Sequence, residues 1–127
     1  MKNSKPNVLL VDDSSTNNLL LESALKGQNF EIHTAITGEE ALNILNKKEI
    51  DLVLLDIMMP GLSGYDVLEA MSNDQKLASV PVIIVTARSQ YEEEKRAKEL
   101  GAADYFEKPL KLEKLIARVK ELTKAFV

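Results

Sequence analysis

Residues 51–61 have the sequence DLVLLDIMMPG. Positions 52–55 are uninterrupted leucine and valine, and the run ends at Asp56. A short apolar run without polar alternation is typical of a strand that is buried on both faces, as in a parallel sheet covered by helices. Pro60 and Gly61 then indicate a turn. The segment therefore predicts a central parallel strand that ends in a carboxylate.

Two similar runs lie on either side of this segment, at residues 8–11 and 82–85. Residues 31–35 and 102–106 are more mixed and are expected to form edge strands. Helical patterns separate all five strands, so the alternation predicts an α/β protein with right-handed crossovers. Placing the apolar runs inside gives a flavodoxin-like (βα)5 three-layer sandwich, with a parallel five-stranded sheet in the order 2-1-3-4-5.

Several helix ends are visible in the sequence. Thr37 with Glu40, and Ser89 with Glu92, have the spacing of a capping box, and Gly27 stands where a helix C-cap is expected. The last helix carries an apolar stripe that we expect to face the core. Its members are Leu112, Leu115, Ile116, Val119 and Leu122.

Composition limits the class of protein. The 127 residues fit one domain, and the absence of cysteine excludes disulfides and thiolate metal sites. A net charge of −4 argues against direct nucleic-acid binding. No long apolar segment suggests a membrane span or signal peptide, and we expect a cytoplasmic protein. Residues 1–6 are expected to be a disordered lead, and residues 7–127 to form the domain.

Reactive side chains follow four of the five predicted strands. Asp12 and Asp13 follow the first, Asp56 the third, Thr86 the fourth and Lys108 the fifth. A single aspartate at such a position commonly caps the next helix, but the carboxyl ends of parallel strands meet at one edge, where ligands bind. Clustered carboxylates repel each other unless a cation compensates, and oxygen ligands alone favour a hard cation such as Mg²⁺. The sequence therefore predicts a metal site at this edge.

The chain resembles the receiver domains of two-component response regulators over roughly residues 7–122. The resemblance is carried by motifs in a fixed order: VLLVDD at 8–13, TGEEAL at 37–42, DLVLLDIMMPG at 51–61, GYD at 64–66, VTA at 85–87 and GAADYFEKP at 101–109. Each motif is weak alone, and the set in this order is highly specific.

The resemblance implies roles for the site residues. Asp56 would be the nucleophile that takes a phosphoryl group from a phosphohistidine. Asp12, Asp13, Asp56 and the backbone carbonyl of Met58 would bind Mg²⁺. Lys108 would pair with the phosphoryl oxygens, and its peptide bond to the following proline is expected to be cis.

The resemblance also implies a switch. Thr86 would turn toward the phosphoryl group and Tyr105 would turn inward, which alters the face formed by the fourth helix, the fifth strand and the fifth helix. The partners would be a sensor histidine kinase or a histidine phosphotransfer protein, and an unknown downstream effector. The domain would be a monomer or a phosphorylation-dependent dimer. It would modify only itself and would not act as an enzyme.

Three positions vary within this family. Met58 and Arg88 flank the path of an attacking water, and a thioether cannot orient water by a hydrogen bond. We therefore expect slow self-dephosphorylation. Leu110 stands where many members carry phenylalanine. The resemblance therefore makes no prediction about a partner surface beside Lys108 and Pro109.

Other readings remain to be tested. A Mg²⁺-dependent phosphatase with an aspartyl-phosphate intermediate would carry Asp-x-Asp after the first strand, whereas Asp12 and Asp13 are adjacent. A flavin-binding module would need a glycine- and hydroxyl-rich phosphate loop there, and a degenerate receiver would lack the acceptor, the acidic pair or the lysine. We expect His33 to be structural or at the surface. Residues 92–96 are expected to be the solvated side of a helix or, alternatively, a docking patch.

Overall fold

The structure is a computed structural model that describes residues 5–87 and 91–123. Within these residues, five strands alternate with five helices. The strands are β1 (Asn7–Val11), β2 (Glu31–Ala35), β3 (Leu52–Leu55), β4 (Val82–Thr86) and β5 (Asp104–Glu107). The helices are α1 (Ser15–Lys26), α2 (Gly38–Lys47), α3 (Gly64–Ser72), α4 (Tyr91–Glu99) and α5 (Leu112–Leu122).

The strands form one parallel sheet in the order β2-β1-β3-β4-β5, which confirms the predicted topology. The three apolar runs are central and the two mixed strands lie at the edges. The fifth strand begins two residues later than predicted. Gly101 has a φ of +104°, and Ala102 N donates to the carbonyl of Ala97, so residue 102 closes the turn after α4 rather than opening the strand.

Each face of the sheet carries its own hydrophobic core, which confirms the three-layer sandwich. Alternate residues of the central strands point to opposite faces, so each core takes every second residue. The first core joins the sheet to α2, α3 and α4, and includes Leu9, Val53, Ile84, Leu45, Leu68 and Ala97. The second joins it to α1 and α5, and includes Leu10, Leu54, Ile83, Leu25, Leu115 and Val119.

The helix caps agree with the sequence in part. Thr37 Oγ1 accepts a hydrogen bond from Glu40 N (3.0 Å), as expected. The Glu40 carboxylate, however, accepts from Ile36 N (2.7 Å), one residue before the position that a capping box requires. The full capping box lies instead at the start of α3, between Ser63 and Asp66. The predicted box at Ser89 lies outside the described residues.

Two expectations for the helix surfaces are corrected in detail. Leu115 and Val119 of α5 are fully buried, but Leu112 is exposed because it opens the helix at the rim of the sheet. In the charged run of α4, Glu92 is exposed, whereas Glu93 is half-buried against α3. His33 is half-buried, and its Nε2 lies 3.1 Å from the side-chain oxygen of Asn7.

The described chain is attached to the sheet from Pro6 onward. Residues 1–4 lie outside the described part, while Pro6 is buried and its carbonyl accepts a hydrogen bond from Glu31 N (2.9 Å).

The Lys108–Pro109 peptide bond is cis, as expected. No helix in the described part of the chain is both long enough and apolar enough to cross a bilayer.

The start of α3 gives a test of the packing beneath the site. A Cβ added at Gly64 would lie 2.3 Å from the carbonyl oxygen of Asp56, whereas one added at Gly27 would meet nothing within 4 Å. We expect Gly64→Ala to lower the free energy of unfolding by roughly 1–3 kcal/mol, the usual cost of forcing atoms into a packed interior. Gly27→Ala, the matched control, should change it by less than about 0.5 kcal/mol. Urea unfolding followed by circular dichroism measures both, and equal stability of the two variants would contradict this packing.

Candidate functional site

Backbone hydrogen bonds between neighbouring strands fix the site residues at one edge of the sheet. Asp12 N donates to the carbonyl of the last residue of β2 (3.1 Å). Asp56 N donates to the last carbonyl of β1 (2.9 Å), and Lys108 N donates to the last carbonyl of β4 (2.8 Å). Each residue therefore continues the ladder of its own strand by one step. Its side chain is thereby held at the rim.

The three aspartates meet, as the sequence predicts. Asp12, Asp13 and Asp56 each offer a carboxylate oxygen, and these oxygens all lie within 4.8 Å of one another. Asp12 and Asp56 are 5% and 7% exposed, whereas Asp13 is exposed. Lys108 Nζ donates to Asp12 Oδ2 (2.9 Å) and to Asp56 Oδ2 (3.3 Å). One ammonium thus bridges the two buried carboxylates.

Of the two buried carboxylates, Asp12 accepts more hydrogen bonds than Asp56 does. Its Oδ1 accepts from Ser14 N (2.9 Å), and its Oδ2 accepts from Asn17 Nδ2 (3.3 Å) as well as from Lys108. Burial is the largest single influence on the Asp12 carboxyl and acts to raise its pKa. The Lys108 ammonium and the two further donors together outweigh burial, so the pKa lies below its ordinary value. Asp12 is therefore held as a carboxylate.

Asp56 has fewer donors for similar burial. Met58 N donates to its Oδ1 (3.0 Å) and Lys108 reaches its Oδ2. Burial, assisted by the negative charge of Asp12, raises the pKa of Asp56 above its ordinary value, and these two donors offset only part of the effect. The pKa of Lys108 is also raised: burial opposes its charge, but its contacts with the two carboxylates prevail. Of the two buried carboxylates, Asp56 is therefore the one whose charge is less compensated.

The charge balance of the cluster favours a divalent cation. Three carboxylates against one ammonium leave an excess of two negative charges when all are ionised. The donors are oxygen atoms only, which suits Mg²⁺ or Ca²⁺. Two oxygens bound to one Mg²⁺ at 2.0–2.1 Å can be at most about 4.2 Å apart, so the observed limit of 4.8 Å requires only a small contraction or a bridging water. The residues present can hold a metal.

The remaining predicted site residues have less defined places. Thr86 is fully buried at the end of β4 and is paired in register with Glu107. Tyr105 is half-buried against the core beneath α3 and α4. The Met58 side chain is 49% exposed beside Asp56. Arg88 lies outside the described residues. The roles of these residues therefore stay predictions.

Two residues that contact Asp12 were not predicted. Asn17 bonds the Asp12 side chain, and Asn18, which is buried, donates through Nδ2 to the backbone carbonyls of Asp12 and Ala35 (both 3.1 Å). The available signal was the pair itself, because asparagine is a poor helix former and two of them stand in the first turn of α1. Such residues in a first turn indicate local side-chain hydrogen bonds.

Comparisons with known proteins agree on the family. The family model for the response regulator receiver domain matches residues 8–120. Transcriptional regulatory protein PrrA of Mycobacterium leprae is 44% identical over 122 residues, which are 94% of this chain and 50% of that protein. Response regulator PleD of Caulobacter vibrioides is 36% identical over 117 residues, which are 92% of this chain and 26% of that protein. The chain thus spans between a quarter and a half of these curated relatives.

Solved structures show the same architecture. A receiver domain of a Francisella response regulator, number 1452, superposes with a TM-score of 0.88 at 29% identity, covering 97% of this chain and all of that one. A receiver domain named DrrB, described as activated by BeF3, superposes with a TM-score of 0.86 at 31% identity, covering 94% of this chain and 98% of that one. Together with the family model and the acidic rim, these likenesses establish that the chain belongs to the response regulator receiver domains of two-component signalling.

Proposed function

We propose that this receiver domain accepts a phosphoryl group on Asp56 while Asp12, Asp13, Asp56 and the backbone carbonyl of Met58 bind Mg²⁺. The donor would be a phosphohistidine on a sensor histidine kinase or a histidine phosphotransfer protein. The observation that carries the proposal is the set of carboxylates within 4.8 Å of one another, bridged by the Lys108 ammonium. Separate capping roles for the aspartates do not require this cluster.

The transfer is a displacement at phosphorus. A carboxylate oxygen of Asp56 attacks, the new P–O bond forms, and the bond from phosphorus to the imidazole nitrogen breaks. Its electron pair leaves with the imidazole. Lys108 Nζ, 3.3 Å from Asp56 Oδ2, offsets the charge that accumulates on the phosphoryl oxygens. Mg²⁺, when bound, supplies further neutralisation and orients those oxygens.

Asp56 suits the nucleophile better than Asp12 does. Oδ2 of Asp12 is occupied by Asn17 and Lys108, and its Oδ1 by Ser14 N. Asp56 holds only the Met58 N–H and the longer contact with Lys108. A carboxylate with fewer hydrogen bonds gives up less on forming a covalent bond. Asp12 is then better suited to bind the cation and to anchor Lys108.

The signal would pass from Asp56 through Thr86 and Tyr105. The backbone N–H of Lys108 donates to the Thr86 carbonyl (2.8 Å), so a movement of Lys108 would also displace the end of β4. Thr86 would then donate to a phosphoryl oxygen, and Tyr105, on the neighbouring strand, would turn inward. The face formed by α4, β5 and α5 would change as a result.

The surroundings of the site favour a protein partner over a small substrate. A groove of about 390 Å³ opens beside Lys108, and most of its lining is apolar. It is formed by Asp12, Asn17, Leu20, Leu21, Lys108, Pro109, Leu110 and Leu112. Leu20 and Leu112 are exposed at its edge, which suits contact with a macromolecule.

Receiver domains are in general signalling modules rather than enzymes, and histidine kinases or phosphotransfer proteins are their expected partners. We propose the same for this chain, with residues 7–127 as the receiver, no direct contact with nucleic acid or membrane, and a cytoplasmic location. The effector would be a partner protein or a further domain. Turnover of a phosphate-ester substrate would point instead to the phosphatase alternative.

The acceptor can be identified by mass. Wild-type protein incubated with acetyl phosphate and MgCl₂ should gain the mass of one phosphoryl group, and Asp56→Asn should gain none because an amide is not a nucleophile here. Asp66→Asn is the control and should react like wild type, because its carboxylate caps α3 and is not one of the three clustered carboxylates. Intact-mass spectrometry measures all three. A phosphoryl group on Asp56→Asn would overturn the assignment.

Asp13 gives a test of the metal, since it is exposed and its removal leaves the core intact. MgCl₂ should stabilise wild type by about 2.7 kcal/mol at 100 times its dissociation constant, because only the folded state holds the site. Asp13→Ala should lose most of that gain. Thermal unfolding with and without MgCl₂ measures both proteins. Equal stabilisation of the two would exclude Asp13 as a ligand.

Met58 is expected to make the phosphoryl group long-lived. Its backbone N–H donates to Asp56 Oδ1, and its half-exposed thioether side chain cannot orient a water by a hydrogen bond. The phosphorylated protein should therefore persist for minutes or longer, and Met58→Gln, which can orient water, should shorten its lifetime by about tenfold. Phosphoprotein decay after removal of the donor, followed by intact mass, measures this. A wild-type lifetime of seconds would contradict the prediction.

A further inference from the structure

One side chain ties α3 to the first turn of α4. The Tyr65 hydroxyl donates to Glu93 Oε1 at 2.7 Å and lies 3.3 Å from the Glu93 carbonyl oxygen. Arg96 lies over the same ring, with its Cζ 4.1 Å from the centroid. Tyr65 is only 7% exposed. We call this set, Tyr65 with Glu93 and Arg96, the α3–α4 clasp.

The α3 side of the clasp is fixed to the backbone of Asp56. Gly64, the residue before Tyr65, packs so closely that a Cβ there would lie 2.3 Å from the Asp56 carbonyl oxygen. Gly64 N also donates to the carbonyl of Ile57 (2.9 Å). A shift of the peptide at the end of β3 therefore moves Tyr65 with it.

The α4 side of the clasp lies on a helix with little buried surface. Ala97 is the one fully buried residue among those described in α4, and the far end of the helix is held by Ser72 Oγ, which donates to the Leu100 carbonyl (2.8 Å). The first turn carries Glu92, Glu93 and Glu94. The clasp thus connects that turn directly to α3.

We propose that the α3–α4 clasp is a second coupling element, which holds α4 in the unmodified arrangement and is weakened when Asp56 is phosphorylated. The inference rests on the proposed function. The clasp joins α3, whose first residue packs on the Asp56 carbonyl, to the first turn of α4. A phosphoryl group on Asp56 would displace these two elements relative to each other. Only an interaction that differs between two states can bias their equilibrium. The hydroxyl of Tyr65 is therefore placed to set how readily the domain switches.

The test compares Tyr65→Phe with Tyr91→Phe. Each variant loses one phenolic hydroxyl, but Tyr91 is 78% exposed on α4 and serves as the matched control. Beryllium fluoride with MgCl₂ is the probe of the modified state, and titration calorimetry gives its dissociation constant. Hydrogen exchange of the amides in residues 91–99, without the probe, reports on the clasp itself.

Loss of the hydroxyl should act in both measurements. Tyr65→Phe should speed exchange in the first turn of α4 and should bind the probe about three- to tenfold more tightly, the range expected when one hydrogen bond favours the unmodified state. Tyr91→Phe should match wild type in both. A double-mutant cycle with Glu93→Ala should be non-additive in probe affinity, which a merely structural role would not produce.

The remaining outcomes are separable. If wild type and Tyr65→Phe bind the probe equally well, the clasp is the same in both states and the inference is overturned, while the proposed function stands. Weaker binding by Tyr65→Phe also overturns it, because the clasp would then belong to the modified state. If wild type does not bind the probe at all, the proposed function fails first and the coupling falls with it.

Discussion

The crowding of negative charge at one rim of the sheet is the constraint on which the other features depend. Asp12 and Asp56 are almost fully buried, and their side chains share a single ammonium. Such an arrangement is unfavourable unless other groups compensate it. The backbone bonds at the ends of β1, β3 and β5 hold the charges in place. Lys108 supplies part of the compensation, and the three carboxylates are placed so that a cation could supply the rest. A protein that needed only a stable sheet would gain nothing from these residues.

The two buried aspartates show how local hydrogen-bond donors can give neighbouring carboxylates different pKa values. Their exposure is nearly equal, yet the pKa of Asp12 is lowered and that of Asp56 is raised. The difference follows first from Lys108, which lies closer to Asp12 than to Asp56. It follows next from the hydrogen bonds that Ser14 N and the Asn17 amide donate to Asp12. The negative charge of Asp12 also raises the pKa of Asp56. Asp12 is thus held by several fixed contacts and Asp56 by fewer, as the proposed roles of metal ligand and nucleophile would require.

The sequence predicted the topology and the meeting of Asp12, Asp13 and Asp56, because both follow from the order of apolar runs and from what stands at their ends. Parallel strands bring their carboxyl ends to one edge whatever the loops do. The end of α4 was less predictable: residue 102 was placed in β5, although its backbone closes the turn at Gly101. Local sequence does not show whether such a residue will belong to the turn after a helix or to the strand that follows.

Contacts between side chains of different helices were beyond the sequence. The run at residues 92–96 has the composition of a solvated surface, and nothing in it indicates that Glu93 turns inward to Tyr65. That contact depends on the packing of α3 against α4, which is decided by the whole core. Asn17 and Asn18 left a weak signal, since their poor helix propensity hinted at local bonds.

The polar composition of α4 is consistent with a helix that moves when the domain switches. A helix anchored by a broad apolar face would cost too much to move, whereas α4 has Ala97 as its one fully buried residue within the described chain. Because little apolar burial holds α4, specific bonds such as those of the clasp contribute more to its position, and each is worth little enough to be exchanged in a switch. Burial raises the pKa of Tyr65, and the Glu93 carboxylate and the neighbouring Tyr105 add to the effect. Tyr105 packs against the same core that contains Tyr65, so a movement of Tyr105 would reach the clasp through packing.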